Sequence, residues 1–265
     1  MTRTTRLDRE ALERLLIEQF NVISRNQTLA TGLSDNALRH RLRSGGPWSK
    51  LLPGVYMAVT GMPTTLQQEM AGLLYAGSGS LVTGPAALRC HHIGKVAVDF
   101  IDILVPASTK RLGAGFIRLH RTTRMPGRIW QMGPVRYVPP SRAVADAVRD
   151  MTGLRDVRAV VADAVQRSRC RVRELATELS EGPSSGSALF REALADVAEG
   201  VRSVAEADLK DLLVKAKIPM PLFNPALYDK DGTFIARPDA WWPELGIAIE
   251  VDSREWHLSP EDHEK

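Results

Sequence analysis

Residues 22–56 have the sequence VISRNQTLATGLSDNALRHRLRSGGPWSKLLPGVY. Ser34 is a suitable N-cap for a helix over residues 35–43, because its hydroxyl can accept a backbone hydrogen bond in the first turn. A short helix over 26–31 precedes it, and residues 48–57 predict two short strands around a Pro-Gly turn. The stretch therefore predicts two helices followed by a hairpin.

An amphipathic helix is predicted ahead of this stretch, over residues 8–20, where apolar residues recur at helical spacing. Three short helices and a hairpin form a winged helix-turn-helix, whose third helix enters the major groove of DNA. Four apolar residues of the third helix and the hairpin are expected to be buried: Leu38, Leu42, Leu52 and Val55. The outward side chains are expected to contact DNA: Asn36, Arg39, His40, Arg41 and Arg43 of the helix and Lys50 of the wing.

The outward basic side chains leave more than one interpretation open. Arginines on a helix in the major groove reach phosphates and guanine edges. The same face could instead be a solvated surface, and trihelical folds also serve as protein–protein modules. Spacing alone therefore favours DNA binding without excluding the other two.

The charge of the chain changes sign along its length. Residues 1–60 carry nine Lys and Arg against five Asp and Glu, and residues 61–180 carry seventeen against nine. Residues 181–265 reverse the balance, with nine against seventeen. A basic front joined to an acidic back is typical of a polyanion-binding part followed by a part that concentrates carboxylates, although a chance variation in surface charge gives the same pattern.

A resemblance to a known family is carried by residues 22–46, by Trp48 and by the Leu-Pro-Gly-Val-Tyr run at 52–56. These residues resemble the N-terminal winged-helix domain of AbiEi-type antitoxins over about residues 10–60. In that family the domain binds operator DNA and represses its own toxin–antitoxin operon. The resemblance implies double-stranded DNA as a partner, regulation of transcription as a function and a cognate toxin as a further partner.

Residues 61–180 are predicted to form a small α+β middle domain. An apolar run over 98–105 predicts a strand, with neighbouring strands over 116–121 and 135–138. The domain resembles the segment that follows the winged helix in AbiEi-like proteins. Residues 181–187, rich in Ser, Gly and Pro, predict a linker to the C-terminal part.

Residues 188–265 concentrate acidic side chains around a predicted buried strand over 247–252. Glu250 and Asp252 are two residues apart and so share one face of that strand, while Asp239 lies in the preceding bend. Carboxylates that cluster in this way suit Mg²⁺ or Mn²⁺, and such an ion can activate water for phosphodiester hydrolysis. The alternative is an exposed strand end with solvated acids.

Helices and a hairpin are predicted ahead of this strand. The helices cover residues 188–198 and 203–217, and the hairpin covers 226–237. Ser203 and Glu206 have the spacing of a capping box at the start of the second helix. Glu206 is thereby placed on a helix in the same part of the chain as the acidic cluster.

A second resemblance is carried by Glu206, Pro238-Asp239, Glu250-x-Asp252 and Trp256-His257. These motifs are similar to those of the very-short-patch-repair-like branch of the PD-(D/E)xK nucleases. In that branch the acids bind Mg²⁺ and the histidine after the strand assists hydrolysis. The resemblance implies a catalytic set and, in its first three members, a metal site: Asp239, Glu250, Asp252, His257 and Glu206.

The chain departs from this nuclease branch at several points. Asp252 stands where the superfamily name expects lysine, as is frequent in this branch, and Ser253 replaces the usual glycine. The chain ends at Lys265, before the strand and helix that normally complete the core. The resemblance therefore implies a truncated restriction-endonuclease-like α/β domain.

Composition excludes several classes of protein. The chain is 44% hydrophobic and 25% charged, so it can bury a core. Its two cysteines, Cys90 and Cys170, exclude a disulfide scaffold and a four-cysteine zinc site. No apolar run approaches the roughly 18–20 residues that cross a bilayer, and no secretory signal is evident, so we expect a soluble cytoplasmic protein without membrane partners.

The sequence as a whole predicts an α+β protein with three parts. These are a winged helix-turn-helix over 1–60, a middle domain over 61–180 and a nuclease-like domain over 188–265. Two functions remain open at this point. One is a DNA endonuclease that requires Mg²⁺ or Mn²⁺, and the other is a non-catalytic transcriptional regulator of antitoxin type.

Overall fold

The structure, a computed structural model, describes residues 7–251 of the 265-residue chain. The chain divides into two compact units, unit 1 (residues 1–147) and unit 2 (residues 148–265). Helices and several small sheets occur in both units, which confirms the predicted α+β class. None of the helices within the described residues has the length and apolar character needed to cross a membrane.

Unit 1 begins with three helices and a small antiparallel sheet. The elements are α1 (Arg9–Glu18), β1 (Val22–Ser24), α2 (Arg25–Ala30), α3 (Asp35–Arg41), β2 (Ser49–Leu52) and β3 (Val55–Met57). The strands lie in the order β1-β3-β2, and β2 and β3 form the wing. The three helices and the hairpin thus follow one another in the order that the sequence predicts.

Helix α3 begins where the sequence predicts and ends earlier. The Ser34 hydroxyl accepts a hydrogen bond from the backbone nitrogen of Ala37 at 3.2 Å, so Ser34 is the N-cap. The helix ends at Arg41, two residues before the predicted end, and the Arg41 carbonyl accepts a hydrogen bond from the backbone of Trp48. A side chain on Gly46 would collide with that carbonyl, so only glycine fits where the chain turns from α3 into the wing.

The small sheet has buried side chains on both faces, since successive residues of each strand point to opposite sides of the sheet. Ile23 and Tyr56 are paired and belong to a core cluster that includes residues of α1 and α3. The opposite face carries buried apolar side chains: Val22, Leu52, Val55 and Met57. The predicted burial of Leu38, Leu52 and Val55 is confirmed, whereas Leu42, the C-cap of α3, is only half-buried.

The second part of unit 1 is a mixed sheet with flanking helices. Its elements are α4 (Thr65–Ala76), β4 (Leu81–Thr83), α5 (Gly84–Cys90), β5 (Ile101–Pro106), β6 (Ile117–Thr122), β7 (Trp130–Met132), β8 (Val135–Tyr137) and α6 (Pro140–Val148). The strand order is β6-β5-β4-β8-β7. The pairs β5–β6 and β4–β8 are parallel, and the other two pairs are antiparallel.

Helix α4 packs against both sheets of unit 1. A side chain on Gly72 would lie 2.9 Å from a methyl of Ile117 and 3.0 Å from one of Ile103, so the helix approaches the five-stranded sheet closely. At its other end, the Gln67 side chain donates a hydrogen bond to the Phe20 carbonyl at 2.9 Å. The predicted boundary at residue 60 therefore falls inside one packed unit, because α4 joins what lies on either side of it.

A buried carboxylate links three elements of this unit. Glu69 on α4 accepts hydrogen bonds from the Tyr137 hydroxyl of β8 at 2.5 Å and from Arg89 of α5 at 2.7 Å. Burial raises the pKa of Glu69, although both hydrogen bonds oppose that shift. Two donors thus compensate the cost of burying this carboxyl group.

Unit 2 contains helices followed by short strands. Its elements are α7 (Leu154–Gln166), α8 (Val172–Glu181), α9 (Ala188–Ala198), α10 (Val204–Ala216), β9 (Leu222–Phe223), β10 (Leu227–Tyr228), β11 (Phe234–Ala236), β12 (Ala240–Trp242) and β13 (Ile247–Ile249). The strands β13-β12-β9 form one antiparallel sheet, and β10 and β11 form the predicted hairpin. A cluster of buried residues underlies the three-stranded sheet: Val201, Ala207, Leu213, Phe223, Ala240 and Trp242.

The predicted linker over 181–187 is a turn within unit 2. Helix α9 packs against both α7 and α8, so the chain on either side of the turn belongs to one packed body. Ser187 is buried, and its hydroxyl donates to the Ser184 carbonyl at 2.6 Å. A Ser, Gly and Pro-rich composition marks a turn here as readily as a domain junction.

Buried charges join the helices of unit 2. Arg158 of α7 donates to Asp196 of α9 at 2.7 Å and to Asp211 of α10 at 2.6 Å. Lys210 also donates to Asp196 at 2.7 Å. Each charge at the centre of this network is therefore paired and hydrogen-bonded, as burial requires.

Candidate functional site

An exposed polar and basic surface lies on α3 and the wing. We call it the basic surface and define it by five exposed residues: Asn36, Arg39, His40, Arg43 and Lys50. Arg39 donates a hydrogen bond to the Asn36 side chain at 2.5 Å. Within residues 7–251, none of its cations forms an ion pair with a carboxylate, so its positive charge is not locally neutralised.

Arg41 is predicted to face outward, but its side chain is turned toward the protein. Its side chain is half-buried, donates to the Ala37 carbonyl at 3.2 Å and lies over the Trp48 ring, 5.6 Å from the centroid. A guanidinium over an indole is a favourable cation–π contact. Because α3 ends at Arg41 and the chain turns toward the wing, this side chain packs on the wing instead of joining the basic surface.

An ion pair fixes the start of α3. Arg25 at the start of α2 donates to both carboxylate oxygens of Asp35, at 2.7 and 2.9 Å. The backbone nitrogen of Arg25 also donates to the Gly54 carbonyl in the wing turn at 2.8 Å. Arg25 is not among the predicted site residues, because its only local signal in the sequence is its position directly after the N-cap Ser24. This arginine links α2, α3 and the wing and neutralises the acid nearest the basic surface.

In unit 2, the predicted catalytic Glu206 is a buried residue in the first turn of α10. Its carboxylate accepts hydrogen bonds from the Arg202 backbone at 2.8 Å and from the Asn224 side chain at 2.6 Å. A capping box would have the Glu206 carboxylate accept a hydrogen bond from the backbone nitrogen of the N-cap Ser203. Here it accepts one from the backbone nitrogen of Arg202, the residue before the N-cap. Burial raises the pKa of Glu206, the hydrogen bonds oppose this shift, and the nearby charge of Asp239 adds to it.

Asp239 and Glu250 flank the same end of the three-stranded sheet. Ala240 pairs with Ile249, so Asp239 enters β12 where Glu250 leaves β13. The Asp239 carboxylate accepts a hydrogen bond from the backbone nitrogen of Val251 at 2.7 Å. The strand predicted over 247–252 ends at Ile249, and Glu250 follows it with an exposed side chain.

Asn224 lies in this region and is not among the predicted site residues. Its side chain donates to Glu206, and its backbone nitrogen donates to the Asp239 carbonyl at 3.1 Å. Asn224 adopts a left-handed conformation, with φ of 51°, in a stretch flanked by prolines. The flanking prolines are the only sign in the sequence that Asn224 has a special position. Its contacts with Glu206 and Asp239 cannot be predicted locally, because they join distant segments of the chain.

The carboxylates of the described chain do not by themselves complete a metal site. Across residues 7–251, no three His, Cys, Asp or Glu side chains are grouped so that they could hold a metal ion. Asp239 and Glu206 direct carboxylate oxygens to backbone and amide donors. The predicted ligand Asp252 and the predicted catalytic His257 lie outside the described residues, so the three-carboxylate site stays a prediction.

Comparisons with known proteins add a distant likeness to a solved structure. No protein-family model matches the chain, and no curated protein matches it. Among solved structures, it is similar to the crystal structure of the RV2827C protein from Mycobacterium tuberculosis, with a TM-score of 0.48 and 14% sequence identity. The match covers 84% of this chain and 90% of that chain.

Proposed function

We propose that this is a DNA-binding protein whose α3 and wing contact duplex DNA. The observation that carries the proposal is the basic surface, whose cations have no carboxylate partner in the described chain. The opposite side of α3 is anchored in the core through Leu38. A rigidly held helix with unneutralised charge on its outer side has what major-groove recognition requires.

The basic surface combines side chains that suit base edges with side chains that suit phosphates. Arg39 and Arg43 reach phosphates or the acceptor edge of guanine, and Asn36 matches the donor and acceptor pattern of adenine. Lys50 on β2 contacts the phosphate backbone beside the groove. Arg41 packs on Trp48 beside the wing, and its predicted contact with DNA stays a prediction.

Regulation of transcription is the biological role that we attach to this binding. The resemblance of residues 10–60 to the AbiEi-type antitoxins supports a repressor that acts on its own operon, with a cognate toxin as protein partner. A regulator of this kind needs only that the bound protein occupy its operator. This role requires no catalytic chemistry from unit 2.

Replacing Arg39 and Arg43 together with alanine is expected to weaken duplex DNA binding and flatten its salt dependence. Each lost phosphate contact lowers the slope of log K against log salt by roughly one unit. The measurement is a fluorescence-anisotropy salt titration with a labelled duplex. The matched control is Arg169→Ala with Arg173→Ala, which removes two exposed arginines of unit 2 and should leave the slope unchanged. Equal binding by the parent and the α3 variant would show that this surface does not read DNA.

A second candidate function is divalent-cation-dependent cleavage of DNA by unit 2. It is favoured by the convergence of Glu206 and Asp239 on Asn224 and by the position of Glu250 at the same sheet end. Oxygen ligands of this kind suit Mg²⁺ or Mn²⁺, which would supply Lewis-acid stabilisation of phosphodiester hydrolysis. The described residues alone do not form a group of three ligands, so this function depends on the predicted ligand Asp252 as well.

In a calorimetric titration with Mn²⁺, we expect the parent protein to release or absorb heat of binding and the Asp239→Asn variant to give none. Plasmid cleavage, measured on the same samples, should follow the same pattern. The matched control is Glu244→Gln, an exposed acid in the turn between β12 and β13, which should bind Mn²⁺ like the parent. Absence of heat and of cleavage in the parent would remove the nuclease function and leave the regulator. Heat without cleavage would leave a cation site that does not hydrolyse DNA.

A further inference from the structure

The chain between β5 and β6 borders the wing. A side chain on Gly115 would lie 3.3 Å from a methyl of Leu52, the last residue of β2. Gly115 has φ of 55°, so the tight approach and the backbone conformation both suit glycine. Leu52 directly precedes the Pro53-Gly54 turn at the tip of the wing. Just before β6, the connection therefore lies against the buried side of the wing, next to the turn at its tip.

The chain between β5 and β6 also contains basic residues, and it is held against β6. We call residues 107–113 the basic loop; its exposed cations are Lys110 and Arg111. Arg121 of β6 donates to the Thr109 carbonyl at 2.7 Å and to the Arg111 carbonyl at 2.9 Å. The basic loop is thus fastened along the edge strand of the five-stranded sheet.

A second set of contacts holds the basic loop against α4. The Arg111 guanidinium donates to the Tyr75 carbonyl and lies over the Tyr75 ring, 4.9 Å from its centroid. The Tyr75 hydroxyl donates to the Leu112 carbonyl at 2.8 Å. A loop that is already ordered loses little conformational entropy when it binds a partner.

The cations of the basic loop are held by neutral groups. Arg111 contacts a backbone carbonyl and an aromatic ring, and Arg121 of the adjoining strand contacts two backbone carbonyls. Within the described chain, none of Lys110, Arg111 and Arg121 is paired with a carboxylate. Contacts of this kind orient a guanidinium and leave its formal charge in place. The basic loop therefore presents an ordered, unneutralised positive charge, which fits a polyanion.

We propose that the basic loop is a second phosphate-contacting element, which extends the DNA surface from the wing along the edge of the five-stranded sheet. The proposal rests on the DNA binding proposed for α3. Lys110 is five residues from Gly115 and so lies at most about 18 Å from it along the chain. This distance is about half of one turn of B-DNA, which is about 34 Å long, so a duplex that runs from the wing along the β6 edge would come within reach of Lys110. Lys110 and Arg111 contact phosphates there, and Arg121 is a positioning residue.

The test is a salt titration of duplex binding by the full chain with Lys110→Glu. Lys110 has an exposed side chain, so its replacement leaves the packing of the basic loop intact. We expect a roughly five- to tenfold rise in Kd at about 0.1 M salt, together with a lower salt slope. The matched control, Lys230→Glu, makes the same charge change in an exposed turn of unit 2 and should leave the slope unchanged.

A second variant, Arg111→Gln, removes one further charge and should lower the slope again. Parent-like Kd and slope for Lys110→Glu, with the Arg39 and Arg43 variant still impaired, would overturn the role of the basic loop and leave α3 as the DNA-binding element. A parent that binds no duplex at any salt concentration would overturn the proposed function and this extension of it together. If Lys230→Glu raised Kd and lowered the salt slope as much as Lys110→Glu, the effect would come from net charge alone and the role of the basic loop would be overturned.

Discussion

Replacing Arg158 with alanine is expected to lower the free energy of unfolding of unit 2 by about 3–5 kcal/mol. The Arg158 side chain is only 7% exposed and is hydrogen-bonded to Asp196, which is equally buried. Removal of the guanidinium leaves Asp196 with Lys210 as its remaining cationic partner. An incompletely compensated buried carboxylate costs far more than the loss of an exposed ion pair.

A matched control for Arg158 lies on the same helix. Arg155 forms an ion pair with Asp208 at 3.7 Å in which both side chains are more than half exposed. Arg155→Ala should therefore cost less than about 1 kcal/mol. Amide hydrogen exchange of α7 and α9 measures both variants without assuming that the two units unfold together. Similar losses for the two arginines would contradict the account of a buried network that holds the helices together.

Replacing Leu38 with alanine is expected to destabilise the winged helix by about 2–5 kcal/mol. Leu38 is 3% exposed and packs in the cluster that joins α3 to Leu12 and Trp48. Its truncation removes buried methyl groups and leaves a cavity beneath the helix that we propose reads DNA. Binding should weaken in proportion to the fraction of unfolded protein, with an unchanged salt slope, because no phosphate contact is lost.

The control for Leu38 is Leu42, four residues later on the same side of α3. Leu42 is half-buried, so Leu42→Ala should cost clearly less than Leu38→Ala. Thermal unfolding and hydrogen exchange of α1 and α3 provide the comparison. If the two variants lost the same stability, or if Leu38→Ala lost none, the orientation of α3 about its own axis would be wrong.

Local signals in the sequence are sufficient to locate most elements. The helix predicted over 188–198 coincides with α9, and Ser34 caps α3 as expected. The hairpin predicted over 226–237 contains β10 and β11, because Asp229 organises the turn through hydrogen bonds to its own backbone neighbours. Capping residues and tight turns act over a few positions, so they can be recognised without the rest of the fold.

Elements that depend on distant partners escape prediction. The strand β7 has three exposed residues and no alternation, and the two-residue strand β9 is defined only by its pairing with β12. Arg158 and Asp196 are 38 positions apart in the chain, so nothing near either one predicts their contact. The same holds in the candidate site, where the outward residues of α3 follow from helical periodicity and the bridging role of Asn224 does not.

Helix α4 packs against both the small sheet and the five-stranded sheet, so residues 1–60 cannot be separated from the rest of unit 1 without exposing buried surface. A fragment cut at residue 60 would keep α3 and its basic surface, yet it would expose the apolar face that carries Val22, Leu52, Val55 and Met57. Such a bare sheet face is an aggregation hazard. A fragment that keeps this face covered therefore has to include α4, and any transplant of α3 and the wing into another protein has to bring a substitute for α4 with it.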